Sequence, residues 1–254
     1  MNITFLVNHD LPSVLALNYL VPQLDNHALS IFYSRKPALK HPPPSLINLI
    51  AFETRSLASL NNSSGASGLL GFAGLERYAC RPVSEMNAVN GRDLQRLQRS
   101  NPALIVSIRH MTILHEPVIY LPEHGVINLH SGLLPAYQGV MASFRAMLNG
   151  EKLLGSSLHY IEDQSIDKGG LIGRARVACR YDKSYLWNVL NLYQSGCLMV
   201  LDTIKTLAEN QPVNCHNQLG QGNYFTFPDA SDLATFNDAG YRLHDDSDLS
   251  DFFI

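Results

Sequence analysis

The sequence has few of the features that mark secreted, membrane-bound or metal-binding proteins. Its 254 residues include only four cysteines, and none of them form the C-x-x-C spacing of a zinc or redox site. Scattered cysteines are typical of reduced, mostly buried thiols, so we expect neither a disulfide framework nor a bound metal. No apolar run approaches membrane-spanning length, and the first residues do not resemble a signal peptide. We therefore expect a cytoplasmic protein with no membrane partner.

Positive charge is also scarce. The net charge is −3 at pH 7, and charged residues make up only 16% of the chain. Residues 216–254 contain seven Asp and a single Arg, so this end of the chain would repel a polyanion. We therefore expect no nucleic-acid partner.

Apolar residues make up 46% of the chain, which is enough for a large core. Segments with the pattern of buried strands alternate with segments of helical periodicity, which predicts an α/β fold with a doubly wound, mainly parallel sheet over residues 1–210. Predicted strands cover 2–7, 28–34, 103–108, 126–130, 155–161 and 171–179, and predicted helices cover 14–24, 46–60, 92–98, 140–148 and 185–207, the last capped by Asp182. The Ser/Gly-rich segment 61–68 interrupts the pattern and is either flexible or functional.

Residues 211–254 differ in composition from the rest of the chain. They are acidic and aromatic, and they predict a small C-terminal extension. The run from Tyr224 to Pro228 would pack on the main domain, pair across a homodimer or stack on a base. A homodimer through this extension is therefore a hypothesis.

Two polar side chains stand at the end of the predicted strand 126–130. Asn128 and His130 are two residues apart, so they project from the same face of the strand, and a Gly-Leu-Leu-Pro loop follows. An amide donor beside an imidazole suits a reaction that stabilises an oxyanion and moves a proton. Asp167 stands in a predicted turn between the last two strands, before two glycines, but spacing alone does not show that it meets His130.

Together these segments resemble the 10-formyltetrahydrofolate-dependent formyltransferases, and most closely the nucleotide-sugar N-formyltransferases. The resemblance is carried, in order, by Asn128-Leu129-His130, Leu133-Leu134-Pro135, Gly139, Leu148-Asn149-Gly150-Glu151, Gly155, His159 and Ile166-Asp167-Lys168-Gly169-Gly170. It implies a Rossmann-like core and a catalytic triad of Asn128, His130 and Asp167. In that triad, the amide and the imidazolium hold the oxyanion while the carboxylate orients the imidazole.

The resemblance also implies where the folate co-substrate binds. It assigns the pocket to the segment after the central strand and to the loop that leads to Asp167. The residues concerned are Arg109, His110, Met111, Ile113, Leu114, Ile161, Asp163 and Ile166. Much of the recognition would come from backbone groups, which leave little signature in the sequence.

The acceptor is expected to be a small amine. Candidate contacts are His9, Asp10, Ser131 and Gly132, where Gly132 replaces a serine found in many family members. No glycine-rich phosphate loop follows the first strand, and residues 216–254 are acidic, unlike the basic second domain of the tRNA enzymes. Both features disfavour glycinamide ribonucleotide and tRNA as acceptors. A nucleotide-linked, dTDP-type amino sugar is the leading acceptor; N-hydroxyornithine, or hydrolysis of formyltetrahydrofolate, is the alternative.

Overall fold

The central strands of the protein, at residues 2–8 and 104–108, are nearly continuous runs of buried residues, as expected of a sheet covered on both faces. A computed structural model describes residues 1–35, 39–62, 68–220 and 222–252; the segment 61–68 lies largely outside them. The strands are β1 (Asn2–Asn8), β2 (Ala28–Ser34), β3 (Ser84–Glu85), β4 (Leu104–Ile108), β5 (Val126–His130), β6 (Tyr137–Gly139), β7 (Leu153–Ile161), β8 (Leu171–Ala178) and β9 (Asn223–Phe225). The helices are α1 (Leu11–Leu20), α2 (Pro44–Asn62), α3 (Phe72–Leu75), α4 (Leu94–Gln98), α5 (Glu116–Ile119), α6 (Ala142–Leu148), α7 (Tyr185–Asn191), α8 (Tyr193–Ala208) and α9 (Ala230–Asp238), with 3₁₀ turns at Val21–Gln23, Glu76–Tyr78 and Asp246–Asp251.

Seven of these strands form one sheet in the order β3-β2-β1-β4-β5-β7-β8. The five strands from β3 to β5 are parallel, and β7 and β8 are antiparallel to their neighbours. The chain moves outward from β1 to β3 and then returns to β4 on the other side of β1. The sheet order therefore reverses between β1 and β4, and the carboxyl ends of these strands are where ligands gather in such folds.

Apolar residues on both faces of the sheet hold it between two layers of helices. Phe5 of β1 belongs to the larger core cluster, which includes residues of α1 and α8. Leu6, the next residue, points to the opposite face and packs in a second cluster with Phe32 and Ile105. The predicted doubly wound, mainly parallel α/β fold is confirmed.

Several local predictions differ from the structure. The predicted helix 185–207 is two helices, α7 and α8, that meet at Leu192. Ser184 caps α7 by accepting a hydrogen bond from the backbone N–H of Trp187, whereas Asp182 pairs with the neighbouring Arg180. The cysteines were expected to be mostly buried, but only Cys197 is; Cys80 and Cys215 are exposed and Cys179 is half-buried.

The C-terminal extension packs against residues 1–210. β9 pairs in parallel with β6, and α9 lies on α6, where Phe236 contacts Phe144 at a ring separation of 4.5 Å. An ion pair of 2.6 Å joins Arg145 to Asp232. The extension thus adds Phe236, which is fully buried, to the larger core. None of the helices in the described ranges is long and apolar enough to cross a membrane.

Candidate active site

Three of the predicted site residues meet at the carboxyl end of β5. Asn128 and His130 lie on the same face of the strand, and β7 runs antiparallel beside it with His159 directly opposite Asn128. Asp167 follows β7 in a loop, where it takes a left-handed backbone conformation with φ of 56°. This conformation turns its carboxylate back toward the ends of both strands.

The carboxylate of Asp167 is the centre of this cluster. One oxygen, Oδ2, lies 3.5 Å from His130 Nδ1 and accepts a hydrogen bond of 2.8 Å from the backbone N–H of Gly139. The other, Oδ1, lies 3.3 Å from His159 Nε2 and 3.5 Å from Asn128 Nδ2. The structure therefore brings together Asn128, His130 and Asp167, and it adds His159.

Asp167 stays ionised in this buried position. Burial on its own would raise the pKa of its carboxyl group, because a low-dielectric site disfavours the charged form. The two histidines His130 and His159 and the Gly139 N–H outweigh this effect, and the pKa falls to about 2. A carboxylate is thus available at neutral pH to balance a positive charge on an imidazole.

The ring of His130 is fixed by a second contact. Its Nε2 donates a hydrogen bond of 2.7 Å to the carbonyl oxygen of Tyr137, so Nε2 carries a proton and Nδ1 is the nitrogen that faces Asp167. Gly132 lies directly behind this ring, and a Cβ there would come within 2.6 Å of His130 Nε2. The glycine is therefore required by the close packing of the loop on the imidazole.

The cluster opens into a cleft of about 1030 Å³. Every residue predicted to bind folate lines it: Arg109, His110, Met111, Ile113, Leu114, Ile161, Asp163 and Ile166. Of the predicted acceptor contacts, His9, Asp10 and Ser131 also line it. Gly132 does not; it borders a separate cavity of about 300 Å³ behind the Leu-Leu-Pro loop. The structure thus places Gly132 outside the main cleft.

An ion pair forms the floor of the cleft between β1 and β4. Asp10 caps α1 by accepting the backbone N–H of Ser13, and its other oxygen accepts a hydrogen bond of 2.7 Å from Arg109 Nε. Burial opposes ionisation of Asp10, but Arg109 and Ser13 lower its pKa below the usual value. The negative charge of Asp10 is therefore balanced by Arg109.

Some cleft residues were not found by reasoning from the sequence. The resemblance includes His159 but gives it no role in the triad, and in the structure its Nε2 lies 3.1 Å from Asn128 Nδ2. The antiparallel register of β5 and β7 would have revealed it. Glu53 of α2 and the extension residues Tyr224 and Thr226 also line the cleft, and only the tertiary fold brings them there.

The described part of the chain contains no group of three or more His, Cys, Asp or Glu side chains that could hold a metal ion. The site instead offers amide and imidazole donors beside an ionised carboxylate. Such an arrangement can stabilise a developing oxyanion and accept a proton from an attacking nucleophile. The fold and the cluster are therefore suited to a group-transfer or hydrolytic reaction.

Comparison with known proteins relates this chain to one family. Residues 70–185 match the model of the formyl transferase family, which confirms the resemblance seen in the sequence. Methionyl-tRNA formyltransferase of Caldanaerobacter subterraneus subsp. tengcongensis is 33% identical over 131 residues, or 52% of this chain. The matched segment spans only 41% of the length of that relative.

Solved structures with the same fold include formyltransferases with different acceptors. An N-formyltransferase from Helicobacter canadensis, in complex with folinic acid and dTDP-3-aminofucose, superposes with a TM-score of 0.56 and 17% identity over 89% of this chain and 70% of that one. Glycinamide ribonucleotide transformylase 1 from Symbiobacterium toebii gives a TM-score of 0.60 and 16% identity over 86% of this chain and 95% of that one. At these identities the likeness concerns the fold.

Proposed function

We propose that this protein is an N-formyltransferase that uses 10-formyltetrahydrofolate to formylate the amine of a small molecule. The observation that carries the proposal is the convergence of Asn128, His130 and Asp167 on one cleft, within a domain of the formyl transferase family. 10-Formyltetrahydrofolate supplies the formyl group. The triad roles below are part of the proposal.

The folate would occupy the side of the cleft lined by residues 109–114 and 161–167. One observation on this side fits a polar ligand: the hydroxyl oxygen of Thr112 is buried and has no hydrogen-bond partner within the described chain. A buried hydroxyl that is left unsatisfied is costly, and a bound ring nitrogen or amide would satisfy it. The volume of the cleft is also sufficient for a drug-sized ligand and an acceptor.

Charge development in the transfer step would be met by groups of the triad. As the acceptor nitrogen bonds to the formyl carbon, negative charge grows on the formyl oxygen. Asn128 and His130 would donate hydrogen bonds to it. Asp167, whose carboxylate lies 3.5 Å from His130 Nδ1, would orient the imidazole and, directly or through water, help to relay the proton released by the amine. The bond from the formyl carbon to the folate nitrogen then breaks, and that nitrogen takes up a proton.

The particular acceptor proposed is a nucleotide-linked amino sugar. The Helicobacter canadensis enzyme of the same fold was solved with dTDP-3-aminofucose. In this protein, the balanced Asp10–Arg109 pair leaves the part of the cleft beside the ends of β1 and β4 without a charge that would repel a diphosphate. Transfer to tRNA is disfavoured because residues 216–254 contain seven Asp and one Arg. N-hydroxyornithine remains the alternative acceptor. Cytoplasmic location and a homodimer remain predictions from the sequence.

The test is release of tetrahydrofolate, followed by absorbance, from 10-formyltetrahydrofolate mixed with a panel of amines. The panel includes dTDP-3-aminofucose and N-hydroxyornithine, and wild type is compared with His130→Ala. Turnover that requires one amine and is lost in the variant supports the proposal. Release of formate without any amine would instead identify a hydrolase. Binding of folinic acid with no turnover in any mixture would identify a binding protein.

A further inference from the structure

Glu53 presents a buried carboxyl group to the cleft, away from the triad. Glu53 lies in α2, is only 9% exposed and lines the cleft. No hydrogen bond joins its carboxyl group to any residue that the structure describes. Buried polar side chains are nearly always hydrogen-bonded, so a carboxyl group left open toward a cavity points to a ligand.

The charges around Glu53 restrict the class of ligand that can bind there. Asp10 and Arg109 face it, but they neutralise each other in their 2.7 Å ion pair, and the phenol of Tyr185 is uncharged. Burial, reinforced by Asp10 and opposed by Arg109, raises the pKa of Glu53 to about 8. At neutral pH this corner of the cleft is therefore largely uncharged, and the Glu53 carboxyl group can both donate and accept a hydrogen bond.

The walls next to Glu53 are apolar. Leu46 and Leu49, from the preceding turns of α2, line the same cleft. A phosphate or a carboxylate would gain no cation there, since Arg109 is already paired with Asp10. A pyranose ring has hydroxyl groups that would satisfy a carboxyl group and C–H faces that would pack against leucine side chains.

We propose that Glu53 is a specificity-determining residue that hydrogen-bonds a hydroxyl group on the uncharged, hydroxylated ring of the acceptor. This inference rests on the proposed function and adds the position at which the sugar, as distinct from the nucleotide, is recognised. Glu53 is not part of the triad and does not take part in the transfer step.

The experiment compares two ligands on three variants by isothermal titration calorimetry. dTDP-3-aminofucose carries the sugar, and dTDP lacks it. The variants are Glu53→Ala, Glu53→Gln and, as a matched control, Glu123→Gln, which alters an exposed glutamate outside the cleft. Folinic acid binding and circular dichroism confirm that each variant is folded.

We expect Glu53→Ala to weaken the binding of dTDP-3-aminofucose by about tenfold and to leave the binding of dTDP unchanged, because a single buried hydrogen bond is lost. Glu53→Gln keeps a donor and an acceptor and should lose little affinity. Equal losses for both ligands, or no loss for either, would overturn the assignment. So would turnover with N-hydroxyornithine together with no binding of the sugar nucleotide, although formyl transfer would then still stand. Absence of turnover with every amine would instead refute the proposed function.

Discussion

The carboxyl group of Glu53 should make the stability of the protein depend on pH in a way that one substitution removes. Burial and the charge of Asp10 raise its pKa from 4.5 to about 8, against the opposing effect of Arg109. Between these pH values the folded chain keeps a proton that the unfolded chain has lost. The free energy of unfolding therefore falls as the pH rises, whereas below pH 4.5 nothing is lost. At about 1.4 kcal/mol for each pH unit, the loss reaches at most about 5 kcal/mol.

Glu53→Gln tests this reasoning because glutamine has almost the same shape and does not ionise. Urea titration followed by circular dichroism gives the free energy of unfolding of both proteins. The difference, variant minus wild type, should increase by about 2–5 kcal/mol as the pH is raised through this window. Other titrating groups are common to both proteins and cancel in the difference. Glu123→Gln should show no such gain. A constant difference between wild type and Glu53→Gln at all pH values would show that Glu53 does not hold an extra proton in the folded state.

Three further substitutions test other parts of the structure. Asp167→Asn should lower the free energy of unfolding by about 2 kcal/mol at pH 7 and by much less at pH 2. The stabilisation from the ionised carboxylate is fully present above pH 3.8 and is lost as the pH falls through about 2. Urea titrations at the two pH values measure the difference, and an equal loss at both would contradict the prediction. Gly139→Ala should destabilise the protein and reduce turnover, since φ is +90° there and the added Cβ would lie 2.2 Å from the carbonyl oxygen of Phe225. An unchanged melting temperature and unchanged kinetics would show that β6 and β9 can move apart without cost. Phe236→Ala should lower the free energy of unfolding in urea by about 3–5 kcal/mol, because its ring is fully buried against Phe144. A decrease below about 1 kcal/mol would show that α9 is not part of the core.

The part of the site that strand periodicity controls could be predicted from the sequence. Asn128 and His130 share a face because side chains alternate along a strand, and the structure places both at the cleft. The family resemblance then supplied Asp167, whose approach depends on a left-handed turn that spacing does not reveal. Each of these predictions rested on local geometry or on an ordered set of motifs.

The residues that were missed depend on tertiary contacts. His159 meets Asn128 only because β7 runs antiparallel to β5, which a mainly parallel sheet does not predict. Glu53 reaches the cleft because α2 packs beside the ends of β1 and β4, and its own segment reads as an ordinary amphipathic helix. The break at Leu192 was also missed, since apolar residues continue through it at helical spacing.

The reaction proposed for the cluster around Asp167 is transfer of a formyl group to an amine. The most direct measurement uses 10-formyltetrahydrofolate labelled with ¹³C in the formyl group and detects labelled formamide on the acceptor by mass spectrometry. Wild type should produce labelled formamide with one amine of the panel. His130→Ala should bind folinic acid normally but produce at least about a hundredfold less. Equal label in both proteins would show that His130 is not needed for transfer, and no labelled formamide with any amine would contradict the proposed reaction.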